Sequence, residues 1–270
     1  MSWDKQNASV FLVGAGRMGG ALLRGWLAAG FPAQSLAVTE PNPAPEIAAL
    51  LNSHAIAARP GAAPDLMVLA VKPQIMNEVL AGIAPLAGPQ TAVLSIAAGR
   101  TVASIAAHFA PDTAIIRAMP NLPAEIGRGI TAAFANPQVT PERRALCDAL
   151  LRAAGEVAWI DDEGLIDAVT AVSGSGPAYV FHLVECLADA AIAAGLPANL
   201  AAQLARATVT GAGELLHLSP LSPAQLRENV TSPGGTTAAG LSVLMGEPSL
   251  KALIRETVAA ATRRSRELSS

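Results

Sequence analysis

Cysteine is scarce. Cys147 and Cys186 are the only two in 270 residues, and their distance apart in sequence suits neither a disulfide framework nor a cysteine-based metal site. This agrees with a reducing, cytoplasmic setting. Aromatic residues make up 3% and charged residues 14% of a chain that is 51% apolar. The apolar weight therefore lies in Ala, Leu, Val and Ile, which favours close-packed helices. So few charges leave too little polar surface for two small domains, and part of the apolar surface is expected to lie between subunits. A net charge of -3, with acids and bases interspersed, provides no basic field for a phosphate backbone, so nucleic acid is not expected as a partner. Long apolar runs are also missing. Residues 10–13, after Asp4 and Lys5, are too few for a signal-peptide core. The longest uncharged stretch, 79–99, is interrupted by Pro85, Gly88, Pro89 and Gln90, so no membrane span is expected. His54, His108, His182 and His217 show no metal-ligand spacing, and no metal is expected.

What is present divides in two. A length of 270 residues suggests two domains. Short β-rich runs at 10–13, 36–39, 66–71, 93–96 and 115–119 alternate with helix-like segments, which predicts a parallel sheet. Two more runs, 129–134 and 156–160, flank a helix starting near Pro141 that carries Leu146, Leu150 and Leu151 on one face, and extend the same sheet. Beyond Asp161, Asp162 and Glu163 the strand signals stop, and Ala/Leu-rich helical patterns run through 178–194, 200–218 and 250–268. The reading is an α/β domain at 1–162 followed by an all-α domain at 163–270. Small residues at Ala201, Ala205, Thr208 and Ala212 suit the close approach of another helix.

The first strand leads directly into Gly14, Ala15, Gly16, Arg17, Met18 and Gly19, with a helical stretch behind them. The G-x-G-x-x-G pattern thus sits in the strand-turn-helix context that a dinucleotide-binding Rossmann domain requires. Gly14 permits the turn, Gly16 lets a pyrophosphate approach backbone N–H groups, and Gly19 lets the helix lie on the sheet. About twenty residues on, Glu40 is placed to accept from a ribose 2'-hydroxyl, which favours NADH. Asn42, with Thr39 or Arg59, would accommodate a 2'-phosphate if Glu40 turned to solvent, so the expected cofactor is NADPH or NADH. Lys72 at the end of the third strand and the small residues of 95–99 at the end of the fourth lie on the ligand-binding edge of such a sheet.

The helical half holds a polar glycine cluster, Ser173 to Tyr179. It is not a nucleophile elbow, because Ser rather than Gly stands at position 173. The stretch Asn229-Val230-Thr231-Ser232-Pro233-Gly234-Gly235-Thr236-Thr237 has the composition of an anion nest opening a helix: glycines let backbone N–H groups converge, and hydroxyls add donors for a small carboxylate. A plain helix cap by Thr236 or Thr237 is the alternative.

Taken in order, the glycine fingerprint, Val71-Lys72-Pro73, residues 95–99, Arg117-Ala118-Met119-Pro120-Asn121, residues 173–179 and Ser232 to Thr237 resemble the pyrroline-5-carboxylate reductase family across nearly the whole chain. The Ser-Pro-Gly-Gly-Thr-Thr segment is the most specific of these motifs. The resemblance implies a Rossmann domain joined to a helical dimerisation domain, and NAD(P)H-dependent reduction of 1-pyrroline-5-carboxylate to L-proline, the last step of proline biosynthesis. It also implies a homodimer whose active site is shared between subunits, with a decamer of five dimers as a higher assembly. By the same resemblance, Ser232, Thr236 and Thr237 bind the substrate carboxylate, Thr237 stands near the ring nitrogen as the catalytic candidate, and Glu163 lines the pocket. Ala70, Lys72, Ala98 and Asn229 join Gly14 to Gly19, Glu40 and Asn42 in contacting the cofactor. Two departures from the family pattern are Pro220, where many relatives carry an acid, and Asn42, where Ser is common. A substrate that arrives as a protonated imine needs no strong enzymic acid, which agrees with the lack of an obvious His-Asp or Tyr-Lys pair. Other readings are a reductase of another small imine or 2-oxo acid, and a non-catalytic NAD(P)-sensing assembly protein.

Overall fold

The computed structural model describes residues 8–269; Asp4 and Lys5 lie outside the described residues. The chain forms two compact units, one comprising residues up to Gly174 together with those from Ala261 onward, the other Ser175–Ala260. The sequence places a divide at 162/163.

The first unit is built on a seven-stranded sheet of order β2-β1-β3-β4-β5-β6-β7, with β1 at Val10–Val13, β2 at Leu36–Thr39, β3 at Leu66–Leu69, β4 at Ala92–Ser95, β5 at Ile115–Met119, β6 at Gly129–Ala135 and β7 at Gly155–Ile160. The first four strands are buried along almost their whole length, as unbroken apolar runs in a sheet covered on both faces should be. Alternation divides their side chains. Leu12, Val68 and Leu94 point to one face with Leu22, Leu23 and Trp26 of α1 (Arg17–Ala28) and Leu150 of α5 (Pro141–Arg152). Phe11, Met67 and Val93 point to the other with Met76 and Leu80 of α3 (Met76–Ile83) and Ile105 of α4 (Val102–Ala106). The buried Trp26 indole donates to the Leu150 carbonyl at 2.9 Å, tying α1 to α5. Between β2 and β3 lies α2 (Pro45–Ser53). Outside β2, Ala57 makes a single parallel bridge to Ala37 and accepts from the Val38 N–H at 2.8 Å. Residues around Ala57 thus stand where a doubly wound dinucleotide fold carries its outer strand.

One expectation needs correcting: β6 runs antiparallel to β5, while every other pair is parallel. The connection from Met119 to Gly129 holds only a 3-10 turn, Leu122–Ile126, too short for the helical crossover that a parallel return demands. α5 supplies that crossover for β7, with Thr140 capping it by accepting the Arg143 N–H at 3.3 Å and Pro141 in its first turn.

After β7 come α6 (Ile166–Val169) and a π-helical turn at Thr170–Gly174. The second unit holds α7 (Gly176–Ala193), α8 (Ala198–Leu218), α9 (Pro223–Asn229), α10 (Thr236–Met245) and the first part of α11 (Leu250–Ser269). Gly195, at φ +99°, reverses the chain between α7 and α8. Of the small-residue stripe on α8, Ala201 and Ala205 are buried, whereas Thr208 and Ala212 are exposed. Within 175–260 these two alanines are the only buried residues in the single chain. Phe181, Leu215, Val243, Met245 and Leu253 are each more than half exposed.

Candidate active site

The strand order brings the expected cofactor residues to one edge. Residues 14–19 follow β1, Glu40 and Asn42 follow β2, Ala70 and Lys72 follow β3, and Ala98 follows β4; these strands are neighbours and all parallel. The order in which strands are added reverses at β1, flanked by β2 and β3, and the crevice outside the carboxyl ends at such a point is the usual ligand site.

Its geometry fits a dinucleotide. Gly14 adopts φ +91°, and a Cβ there would stand 2.8 Å from the Ala70 carbonyl oxygen; a Cβ on Gly19 would stand 2.2 Å from the Gly14 carbonyl oxygen. Both must be glycine for the turn, α1 and β3 to come together. Gly16 differs: nothing lies within 4 Å of the position a Cβ would take, and as N-cap of α1 it receives no side-chain hydrogen bond. The opening at Gly16 is a cradle in front of a helix N-terminus, where phosphate groups are held by backbone N–H groups and by the helix dipole. Arg17 leans away on the surface, its Nε 3.2 Å from the Glu125 carboxylate. Met18 packs against the core. Lys72 and Ala98 are exposed, Ala70 partly so.

Glu40 does not turn outward. Its Oε2 accepts the Ala15 N–H at 2.9 Å and its Oε1 the Asn42 N–H at 3.1 Å. Ala15 is buried, so swinging Glu40 away would leave its N–H without this acceptor, at a cost of about 1–3 kcal/mol. Thr39 next to it donates its hydroxyl proton to the Ala58 carbonyl at 2.6 Å. No spacing in the sequence signals these bonds.

Glu163 is half-buried at the start of a 3-10 turn, Glu163–Leu165, that leads into α6. Its Oε1 accepts from the Arg117 guanidinium and from the Val102 N–H, both at 2.8 Å. Arg117 is a charged residue buried in β5, where it needs such a partner. The pair ties β5 to the 3-10 turn before α6, across 46 residues of sequence, and the Val102 bond adds the first turn of α4.

In the helical unit, α9 is closed by a capping box between Ser222 and Gln225, and Asn229 ends it. Thr231 then donates its hydroxyl to the Arg227 carbonyl at 2.6 Å. Gly234 takes φ +69°, and the Gly235 N–H closes a turn onto the Ser232 carbonyl at 3.0 Å. The N-cap of α10 is Gly235, with no side-chain cap bond. Thr236 and Thr237 are its first two residues, so the alternative of a plain cap by one of them does not hold. Ser232, Thr236 and Thr237 are exposed in the single chain, around a helix start capped by no side chain.

No described group of three or more His, Cys, Asp or Glu side chains suits a metal ion, and no described helix is long and apolar enough to cross a membrane. Both cysteines are free. Burial, with the neighbouring Asp148 charge adding to it, pushes the Cys147 thiol up to about 12. Burial would raise Asp148 too, but hydrogen bonds from Arg152 at 2.6 Å and Trp159 at 2.9 Å, with the charges of Arg152 and Arg144, hold it below the ordinary value.

Residues 9–99 match a family model described as NADP oxidoreductase coenzyme F420-dependent, and residues 163–268 match one described as pyrroline-5-carboxylate reductase dimerisation. A pyrroline-5-carboxylate reductase of Pseudomonas aeruginosa is 39% identical over 264 residues, 96% of either chain. The chain belongs to the pyrroline-5-carboxylate reductase family. One from Synechocystis sp. is 49% identical over 206 residues, 76% of this chain and 75% of that one. Among solved structures of this family, that of Coxiella burnetii superimposes with a TM-score of 0.91 at 32% identity, covering 98% of this chain and 100% of that one. The NADP-bound pyrroline carboxylate reductase of Plasmodium falciparum gives a TM-score of 0.80 at 29% identity, with 98% and 99% covered.

Proposed function

We propose that this chain is a pyrroline-5-carboxylate reductase, an oxidoreductase that takes the C=N bond of 1-pyrroline-5-carboxylate to L-proline with NADPH or NADH. The observation that carries this reading is the start of α10. Its cap is a glycine, the turn before it is left-handed at Gly234, and hydroxyls stand on either side. This is a receptor for a small carboxylate made of backbone dipoles and hydroxyls, with no basic side chain from within the segment.

A reduced nicotinamide supplies a hydride to the imine carbon. Gly14, Ala15, Gly16, Arg17, Met18 and Gly19, with Glu40, Asn42, Ala70, Lys72 and Ala98, hold the dinucleotide along the carboxyl edge of the sheet, and Asn229 joins them from the helical unit. Ser232, Thr236 and Thr237 bind the substrate carboxylate. Thr237 also hydrogen-bonds the ring nitrogen, as donor or as relay for its proton. Glu163 lines the pocket while remaining paired with Arg117. Positioning then accounts for most of the acceleration, since a protonated imine is already electrophilic. The functional division lies at 162/163, supported by the dimerisation match that begins at residue 163.

The bare apolar surface of 175–260 supports a homodimer that completes its site from both subunits, with a decamer of five dimers as the higher assembly. Two free cysteines and no membrane-spanning helix among the described residues agree with a cytoplasmic protein.

The test is oxidation of NADH and, separately, NADPH by racemic pyrroline-5-carboxylate, with proline identified as product. Absence of turnover with both, despite dinucleotide binding, would favour a non-catalytic sensor. Thr237→Ala should lower kcat by about 100-fold, the lower end for general acid-base groups, and leave dinucleotide affinity within about twofold. Unchanged kcat would remove Thr237 from the catalytic role.

A further inference from the structure

The carboxyl edge of β2 decides what can bind the adenosine ribose, and there two of the donors, the Thr39 hydroxyl and the Asn42 N–H, are already taken. A 2'-phosphate brings close to two negative charges and three acceptor oxygens, and needs donors or a cation to meet them. The Thr39 hydroxyl proton goes to the Ala58 carbonyl at 2.6 Å, and the Asn42 N–H goes to Glu40 Oε1 at 3.1 Å. The side chain in the middle is the wrong sign for a phosphate, and it is fixed: Glu40 Oε2 holds the buried Ala15 N–H inside the fingerprint turn at 2.9 Å. A ribose 2'-hydroxyl has the opposite requirement, an acceptor at the end of β2, and a carboxylate held by two backbone N–H groups keeps lone pairs to spare for it. Arg59, the nearby cation that the sequence offers to a phosphate, is exposed and cannot remove the carboxylate from its place.

We infer that Glu40, locked between Ala15 and Asn42, selects against a 2'-phosphate, so that this chain takes NADH in preference to NADPH. This rests on the dinucleotide-binding reading given above, and it sets the chain apart from the NADP named in the description of its first domain and found in the Plasmodium structure. Glu40 acts twice. It accepts from the ribose, and it braces the fingerprint turn against the loop after β2, so its removal affects both dinucleotides in different ways.

Calorimetric titration of the full chain with ADP-ribose and with 2'-phospho-ADP-ribose isolates the adenosine end from catalysis. ADP-ribose should bind at least about tenfold more tightly, a difference of about 1.4 kcal/mol. Glu40→Gln should narrow that ratio to about threefold or less, chiefly by strengthening the phosphorylated ligand. If Glu40→Gln does not fold, the ratio for the unaltered protein still decides. Equal or tighter binding of 2'-phospho-ADP-ribose by the unaltered protein overturns the inference and leaves the reductase reading standing. Failure of both ligands to bind overturns both readings, because the glycine turn would then not be a dinucleotide site.

Discussion

The two units of this chain bury their residues in opposite ways. In the sheet unit β1, β3 and β4 are buried from end to end and helices cover both faces. In 175–260 only Ala201 and Ala205 are buried, while side chains as large as Phe181 and Met245 stand in the open. A domain whose helices leave this much apolar surface exposed has no core of its own size, and its stability must come from association. The first unit is stable by its own packing; the second is one part of a larger core.

The sharpest way to break that contrast is to charge the bare face. Phe181→Glu should turn the assembly into monomers in light scattering and remove turnover, while the sheet unit keeps its denaturation midpoint; an unchanged mass would mean that the face is not the interface. Next in size is damage within the sheet unit. Leu94 is fully buried, and Leu94→Ala should cost about 2–5 kcal/mol in urea unfolding, whereas Leu215→Ala, at a half-exposed position, should cost the isolated chain far less. A smaller effect is expected at Asp148. Its carboxyl is held below the ordinary 3.8 in the folded chain, so its contribution is present above that value and is lost as pH falls through the lower, folded one. Asp148→Asn should therefore destabilise by about 0.5–1 kcal/mol at neutral pH after solvent screening, and the gap should close in acid; a gap that persists there would rule out the ionised form as the source. Least disruptive is a comparison of the two thiols. Cys147, pushed up to about 12, should resist iodoacetamide until the sheet unit unfolds, as followed by mass spectrometry.

Most of the sheet was legible because its strands are short and rich in β-forming residues, wholly apolar in β1 and β3, so length and composition were enough to separate them from helices. The reversal at β6 was not read, although strand direction depends on what the connection can span and the nine residues 120–128 are fewer than the roughly dozen that a crossover needs. The glycine fingerprint was legible as local grammar: Gly14 and Gly19 answer contacts within a few residues or with the adjacent strand, and Gly16 faces open space. The Glu40 bonds and the Arg117–Glu163 pair were not, since they join residues 25 and 46 positions apart and no periodicity records them. At the start of α10 the residue types pointed to a helix opening, but which residue caps it depended on backbone angles at Gly234 and Gly235. The low charge content did foretell the bare face, because composition reports unmet burial even when it cannot say where.

Residues from Ala261 onward belong with the sheet unit. The Ser265 hydroxyl donates to Asp167 at 2.6 Å, and a Cβ on Gly99, at φ +71°, would lie 3.0 Å from the Leu268 carbonyl oxygen. In the order of synthesis, the helical unit is therefore an insertion made before its host is finished. The loop after β4 acquires its packing partner only once residue 268 has left the ribosome, by which time every residue of the association surface has already been made. The helical unit is thus complete in sequence before the loop after β4 is packed.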